Sequence, residues 1–300
     1  MFFAKSSSKK SLKSKEIIAR AWFRRINYQK VHNVEGLKEV LAHKKVFLFV
    51  NIFSDDFRGP ELDAMLSALC GKEAKVTIVV VDGIQGINLV DLEYDKLNND
   101  EIKQIVFNKG IEEAKKWIFN NFHVISKYIN LNLSVRYILC LRQMETITQF
   151  SQCEEIIKNL LISSNSSQES KQLRDAIQVT IDGYLRNKGV CEQNRPKIQR
   201  YIEIELTYYM ALTCVGDFIA FTGEEPPSFK FARELVKQHS EELNLLGGPA
   251  GYVEFALKRL DPRYISENSK NEIRQTGGVS ENYSNKDDET MYESKPFANF

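Results

Sequence analysis

Val46 to Phe53 (VFLFVNIF) and Val76 to Val81 (VTIVVV) are unbroken apolar runs of strand length, and they constrain the fold more than any other part of the chain. A strand with one wet face alternates apolar and polar residues. A run without that alternation has to be covered on both faces, as in the interior of a parallel sheet. Between the two runs, Gly59-Pro60 opens a helical stretch with Leu62, Met65, Leu66 and Leu69 on one stripe, and Gly71 ends it. Strand, helix, strand in that order predicts a βαβ unit with a right-handed crossover. The expected architecture is α/β: a three-layer, Rossmann-like domain whose mostly parallel sheet is flanked by helices. Its ligand site is expected at the carboxyl ends of the strands, where Asn51, Ser54 and Asp82 gather.

The remaining segments extend this frame. Lys15 to Arg25 and Val34 to Ala42 read as helices, as do residues 100–130, 143–162 and 171–187, with the SSNSSQES stretch as a break. Further strands are expected at Val135 to Leu141, Asp217 to Phe221 and Gly251 to Leu257. Residues 1–14 and 266–300 are polar and aperiodic and read as disordered tails around one domain, 15–265. No apolar run is long enough to cross a bilayer, and the start (MFFAKSSSKKSLKSK) lacks the order of a secretory signal. Five scattered cysteines without CxxC spacing suit a reducing cytoplasm, and the four histidines make no metal-ligand spacing. A monomer is expected.

Several chemistries are argued against by what is missing. The residues after the first strand (NIFSDDFRG) are not Gly-x-Gly-x-x-Gly, and no GxxxxGK[ST] occurs, so neither a dinucleotide cofactor nor nucleotide hydrolysis is expected. The ATP-using signatures of class I aminoacyl-tRNA synthetases are also absent. No cofactor and no metal are expected. Asp55 and Asp56 beside Arg58 read as a helix cap and a local ion pair.

One helix carries a chemical anomaly. In NRPKIQRYIEIELTYYMAL (194–212), Ile198, Tyr201, Ile202, Ile204, Tyr208, Tyr209 and Leu212 share an apolar arc, and Glu205 falls inside it, while Glu203 is expected on the wet side. A carboxylate buried without a partner costs several kcal/mol, so Glu205 has to be protonated, paired, or facing a polar cavity. Tyr201, one turn away, can supply a partner. Charge adds a second clue. Residues 1–45 hold nine Lys and three Arg against three Glu, a net of +9, so the remainder carries −8 to reach the overall +1. A polyanionic partner fits that asymmetry, with Lys9, Lys10, Lys13, Lys15, Arg24, Arg25, Lys115 and Lys116 as expected phosphate contacts; a solvated basic tail is the alternative. Lys115 and Lys116 interleave with Trp117 and Phe122 at helical spacing, a pattern that core packing on one face and solvated lysines on the other would explain.

Taken in order, these elements resemble the tRNA-dependent cyclodipeptide synthases, over roughly residues 40–258. The resemblance rests on VFLFVNIFSDDF, ELDAMLSALC, TIVVVD, the Tyr-x-x-x-Glu helix (YIEIEL), GEEPPSF and GGPAGYVEFAL; only Tyr201 with Glu205 is a specific motif. It implies a Rossmann-like domain akin to the catalytic domains of tyrosyl- and tryptophanyl-tRNA synthetases. It also implies aminoacyl-tRNAs as substrates, a cyclic dipeptide (diketopiperazine) as product, and Tyr201 and Glu205 as the residues that hold the amino group and relay protons. The family's serine nucleophile is replaced by Asn51, with Ser54 three residues later; Phe49 stands at the family's glycine, and of a Tyr-His or Tyr-Pro dipeptide only Pro226 remains. Phe49, Asp82 and Pro226 are the expected substrate-binding positions. An Asn amide forms no ester intermediate. Three outcomes follow: Ser54 takes over, transfer runs directly between two tRNAs, or the fold binds tRNA without the reaction. A small-molecule transferase or hydrolase on the same fold is a further reading, by analogy alone.

Overall fold

The computed structural model describes residues 15–22, 28–31, 34–70, 73–132, 135–162, 167–187, 191–223, 225–245 and 248–259. The expected tails, and Lys9, Lys10, Lys13, Arg24 and Arg25, lie outside them. In chain order the elements are β1 (Lys15–Trp22), β2 (Tyr28–Val31), α1 (Val34–Val40), β3 (Lys45–Asn51), α2 (Gly59–Leu69), β4 (Lys75–Val81), α3 (Asn99–Asn132) and β5 (Val135–Cys140). There follow α4 (Leu141–Met144), α5 (Phe150–Ile162), α6 (Gln168–Asn187), α7 (Arg195–Val215), β6 (Phe218–Thr222), α8 (Pro227–Gln238) and β7 (Gly251–Arg259). One sheet runs β2-β1-β7-β6-β3-β4-β5. It is parallel from β7 to β5, and the pairings of β1 with β7 and with β2 are antiparallel.

The apolar runs are buried on both faces, as their lack of alternation demands. Phe49, Val79 and Val81 enter a core shared with α5, α6, α7 and α8. Val46, Leu48, Val50, Val76, Ile78 and Val80 enter a second core under α1 and α2. Period-two geometry therefore assigns Asn51, two residues after Phe49, to the α7 side of the sheet. Helix α3, about 50 Å long at 1.5 Å per residue, joins both layers. Its Ile102, Val106 and Phe107 belong to the first core, and its Ala114, Trp117, Val124 and Ile125 to the second.

Four expectations need correction. Of the helix expected over Lys15 to Arg25, residues 23–25 lie outside the described residues, and Lys15–Trp22 is β1, paired antiparallel with β7 from Lys15↔Arg259 to Ala21↔Val253. The outer edge of β7 offers a row of backbone donors and acceptors, and pairing with it outweighs a local helical pattern. Helix 143–162 is two pieces, because Glu145, Thr146, Ile147 and Phe150 all donate to carbonyls three residues back. The β-branched Thr146-Ile147-Thr148 run suits such a turn better than a continuous helix. Glu203 is not on a wet face, since every residue from Tyr201 to Thr213 is buried. Glu203 is 5% exposed at the floor of a cleft and accepts hydrogen bonds from Gln199 Nε2 (2.8 Å) and Arg200 Nη1 (2.6 Å). Phe122 does not pack in the core; it is 56% exposed beside Phe119 at 82%. Trp117 is buried, donating from its indole nitrogen to the Phe57 carbonyl at 3.0 Å, and Lys115 and Lys116 are exposed.

Candidate active site

The site is built where the carboxyl ends of β3 and β4 meet α7. Tyr201 and Glu205, one helical turn apart, both point from α7 toward the sheet, and both are buried. Tyr201 Oη lies 3.2 Å from Glu205 Oε1 and donates to it. Burial pushes the Glu205 carboxyl up to about 8, and the Tyr201 hydroxyl pulls the other way. The Tyr201 phenol is itself driven well above its ordinary value by burial and by the neighbouring carboxyl. A carboxyl held near neutrality in an apolar setting can take or give a proton at physiological pH.

Around this pair, Phe49, Asn51, Val81, Tyr184, Phe221 and Phe229 close a cavity of about 10 Å³, room for about one water. Aromatic packing explains its size. Phe49 sits 6.2 Å from Tyr209, 6.1 Å from Phe221 and 6.2 Å from Phe229, centroid to centroid. A cleft of about 1090 Å³ opens on the other side of α7, where Lys103 pairs with Glu154 and Arg200 with Glu203. Although far larger, it does not reach Glu205, so the small cavity is the one placed against the reactive groups.

The remaining candidates separate into two groups. Asn51 and Phe49 line the cavity with Tyr201 and Glu205. Asn51 Oδ1 also accepts the Phe53 backbone N–H at 3.0 Å. Ser54 lies outside the lining: it is buried in the turn after β3, where its Oγ accepts the Asp56 N–H at 3.3 Å and caps a short 3₁₀ turn, Asp55–Phe57. Asp82 likewise points into backbone, accepting from Gly83 N (2.6 Å) and Leu141 N (3.1 Å), so it joins the end of β4 to the start of α4. Pro226 precedes α8 and is outside the cavity lining. Asp55 pairs with Arg58 at 3.2 Å. Lys115 and Lys116 are on the outer surface of α3, Lys116 against Glu113, and Lys15 lies in β1.

The fold has counterparts among solved structures. A cyclodipeptide synthase from Fluoribacter dumoffii matches with a TM-score of 0.54 at 15% identity, over 81% of this chain and 99% of that one. The chain shares the cyclodipeptide synthase fold. A Mycobacterium tuberculosis cyclodipeptide synthetase gives 0.48 at 11% identity over 82% of this chain and 95% of that one. The enzyme from Candidatus Glomeribacter gigasporarum, bound to Phe-tRNAPhe, gives 0.46 at 14% over 71% and 88%. No protein-family model and no curated protein matches the sequence. Among the described residues no group of side chains could hold a metal, and no helix is long and apolar enough to cross a membrane.

Three participants in the site escape a reading of the sequence. Gln85, in the 3₁₀ turn Gly83–Asn88, is fully buried and donates from Nε2 to Tyr201 Oη at 2.6 Å. A polar residue framed by Gly-Ile on both sides (GIQGI) is the signal that could have found it. Tyr184 reaches the cavity from α6, and nothing in its segment distinguishes it. Glu225 holds Arg233 through two bonds (2.7 and 2.6 Å) and accepts from Tyr209 Oη at 2.7 Å, fixing the start of α8 beside the cavity.

Proposed function

We propose that the protein is an aminoacyltransferase that joins the amino acids of two aminoacyl-tRNAs into a cyclic dipeptide. The observation that carries this reading is Glu205. It is a buried carboxyl poised near neutrality, hydrogen-bonded to Tyr201, and turned toward the carboxyl ends of a parallel sheet in a cyclodipeptide synthase fold. In this reading the α-amine of one aminoacyl group attacks the ester carbonyl of the other. An amide forms, the ester C–O bond breaks, and the terminal ribose hydroxyl of that tRNA leaves with a proton. Glu205 accepts the proton lost by the amine and Tyr201 orients the amine through its hydroxyl. A second attack closes the ring and releases the second tRNA. Neither step draws on a cofactor. The test is mass spectrometry of extracts from a bacterial host expressing the chain. A diketopiperazine that appears with the wild type and disappears with Tyr201→Phe/Glu205→Gln supports the reading; none above background removes it.

Direct transfer without an acyl-enzyme suits this chain. Asn51 has no nucleophilic oxygen, and Ser54 is engaged as a backbone cap away from the cavity. Charged, radiolabelled tRNA should leave no label on the wild-type protein or on Ser54→Ala. Asn51→Ser should create a labelled species if its hydroxyl comes within about 3–3.5 Å of the ester carbonyl. Label on wild type that vanishes in Ser54→Ala would restore Ser54 as nucleophile.

A second reading, a tRNA-binding module without catalysis, is favoured by the cavity itself: about 10 Å³ walled by Phe49, Phe221 and Phe229 holds no amino-acid side chain unless the rings move. Tight binding of charged tRNA with no product is its signature. In either reading the lysines of residues 1–14 (Lys5, Lys9, Lys10 and Lys13) add phosphate contacts. Deleting that stretch should flatten the slope of log K against log salt by up to about three to four units, since each neutralised phosphate contributes about 0.7–0.9. Equal slopes for the two proteins would make the stretch a bystander.

A further inference from the structure

The turn after β4 points into the site with a direction. Asn88 Nδ2, a donor only, lies 2.7 Å from Gln85 Oε1. With Asn88 donating there, the Gln85 amide turns its Nε2 to Tyr201 Oη at 2.6 Å. Tyr201 has a single hydroxyl proton. Since its oxygen accepts from Gln85, that proton is delivered to Glu205 Oε1. Three donors in series, Asn88, Gln85 and Tyr201, thus all point at one carboxyl oxygen. The turn has little freedom to relax: a Cβ on Gly83 would meet the Phe107 ring at 2.7 Å, and one on Gly86 would meet the Val106 carbonyl oxygen at 1.8 Å.

We propose that Gln85 is a positioning residue that sets the direction of the Tyr201–Glu205 hydrogen bond, so that Glu205 Oε1 is always the accepting oxygen and Oε2 is the one left to take a proton from substrate. Its part in turnover rests on the aminoacyltransferase reading; the direction of the bond does not. Without the Gln85 donor the Tyr201 hydroxyl loses the contact that directs its proton, the carboxylate is stabilised less, and the neutral acid gains. The titratable groups facing Glu205 are Tyr201 on its own helix and Tyr184 from α6. The strands and α8 contribute Phe49, Asn51, Val81, Phe221 and Phe229, none of which titrates.

The experiment is a carboxyl ¹³C NMR titration of glutamate-labelled protein without tRNA, with the Glu205 signal assigned by its loss in Glu205→Gln. Gln85→Leu should raise the Glu205 titration by on the order of one pH unit. Gln85→Glu keeps the shape but offers an acceptor, which draws the Tyr201 proton away from Glu205, so the rise should be larger than in Gln85→Leu. Asn88→Asp reverses the chain from its outer end. A carboxylate there accepts from the Gln85 amide and turns Oε1, an acceptor, toward Tyr201, so the rise should again exceed that of Gln85→Leu. Asn88 is only partly buried, so this variant keeps the test available if a Gln85 variant does not fold. A Glu205 titration unmoved in Gln85→Leu and Asn88→Asp overturns the proposal, as does Gln85→Glu moving it less than Gln85→Leu. Where the wild type makes cyclic dipeptide, kcat in Gln85→Leu should fall about tenfold with KM unchanged, and the acid limb of the pH profile should move up with the NMR value. A wild type that makes none removes the aminoacyltransferase reading, and the titrations still decide the direction of the bond.

Discussion

Glu205→Gln should lower cyclic dipeptide formation by about 10²-fold or more while making the protein more stable at neutral pH. The amide keeps the shape of the side chain and can still accept from Tyr201, so the helix and its packing remain. What is lost is the proton acceptor, for which a general-base contribution of about 10²–10⁴-fold is usual. The stability effect follows from linkage. The carboxyl titrates near 4.5 when exposed and near 8 in the fold. Below about 4.5 it is protonated in both states and costs nothing. Between about 4.5 and 8 the unfolded chain has released the proton and the native protein keeps it, so stability falls as pH rises, by about 3 kcal/mol at pH 7. Above about 8 both states are ionised and the loss is complete. The glutamine variant lacks this term, so its urea midpoint should exceed that of the wild type at pH 7–8 and converge with it near pH 4. Undiminished turnover would reduce Glu205 to a structural residue, and identical pH dependence of stability in the two proteins would show that the carboxyl is ionised at neutral pH.

The second large effect concerns backbone contacts that hold the site's turn in place. A Cβ on Gly110 of α3 would lie 2.0 Å from the Asp82 carbonyl oxygen and 2.5 Å from that of Gly83; one on Gly86 would lie 1.8 Å from the Val106 carbonyl oxygen. These neighbours are main chain, so helix and turn have to separate. Gly110→Ala and Gly86→Ala should each cost about 3 kcal/mol or more, the upper end of overpacking effects, lowering the melting temperature by roughly 6–12 °C. Because the same turn carries Gln85, the Tyr201–Glu205 pair should also lose its alignment, and activity should drop even where the variants fold. Gly183 in α6 is the control: nothing lies within 4 Å of a Cβ there, so Gly183→Ala should be neutral or stabilising by up to about 1 kcal/mol. Melting temperatures for the three variants check this directly. Equal shifts at all three positions would mean that α3 and the turn adjust at little cost.

The sequence alone determined whatever depends on local pattern. Two non-alternating apolar runs require cover on both faces, and β3 and β4 are the strands they predict, each split by period-two geometry between two cores. Gly59-Pro60 starts α2 because proline's fixed φ and missing N–H suit a first helical turn. A glutamate on the apolar arc of a helix had to be buried beside Tyr201, since the helical period leaves it nowhere else to point. Only the tertiary structure decided the rest. The Lys15–Trp22 segment carries a helical pattern, yet it pairs with β7, because the free edge of a distant strand satisfies its backbone groups. Glu203 reads as solvated until α5 and α6 flank α7 and Arg200 and Gln199 take its oxygens. Ser54 and Asp82 sit at strand ends, as the fold requires, but the direction of each side chain was set by a nearby backbone N–H, which short polar side chains reach before they reach a cavity. Gln85 lies 116 residues from Tyr201, and only the packing of a glycine-bounded turn against α3 brings the two within a hydrogen bond. Periodicity encodes which face a residue occupies. The partner it meets there is decided by segments far away in the chain, whose approach no local pattern records.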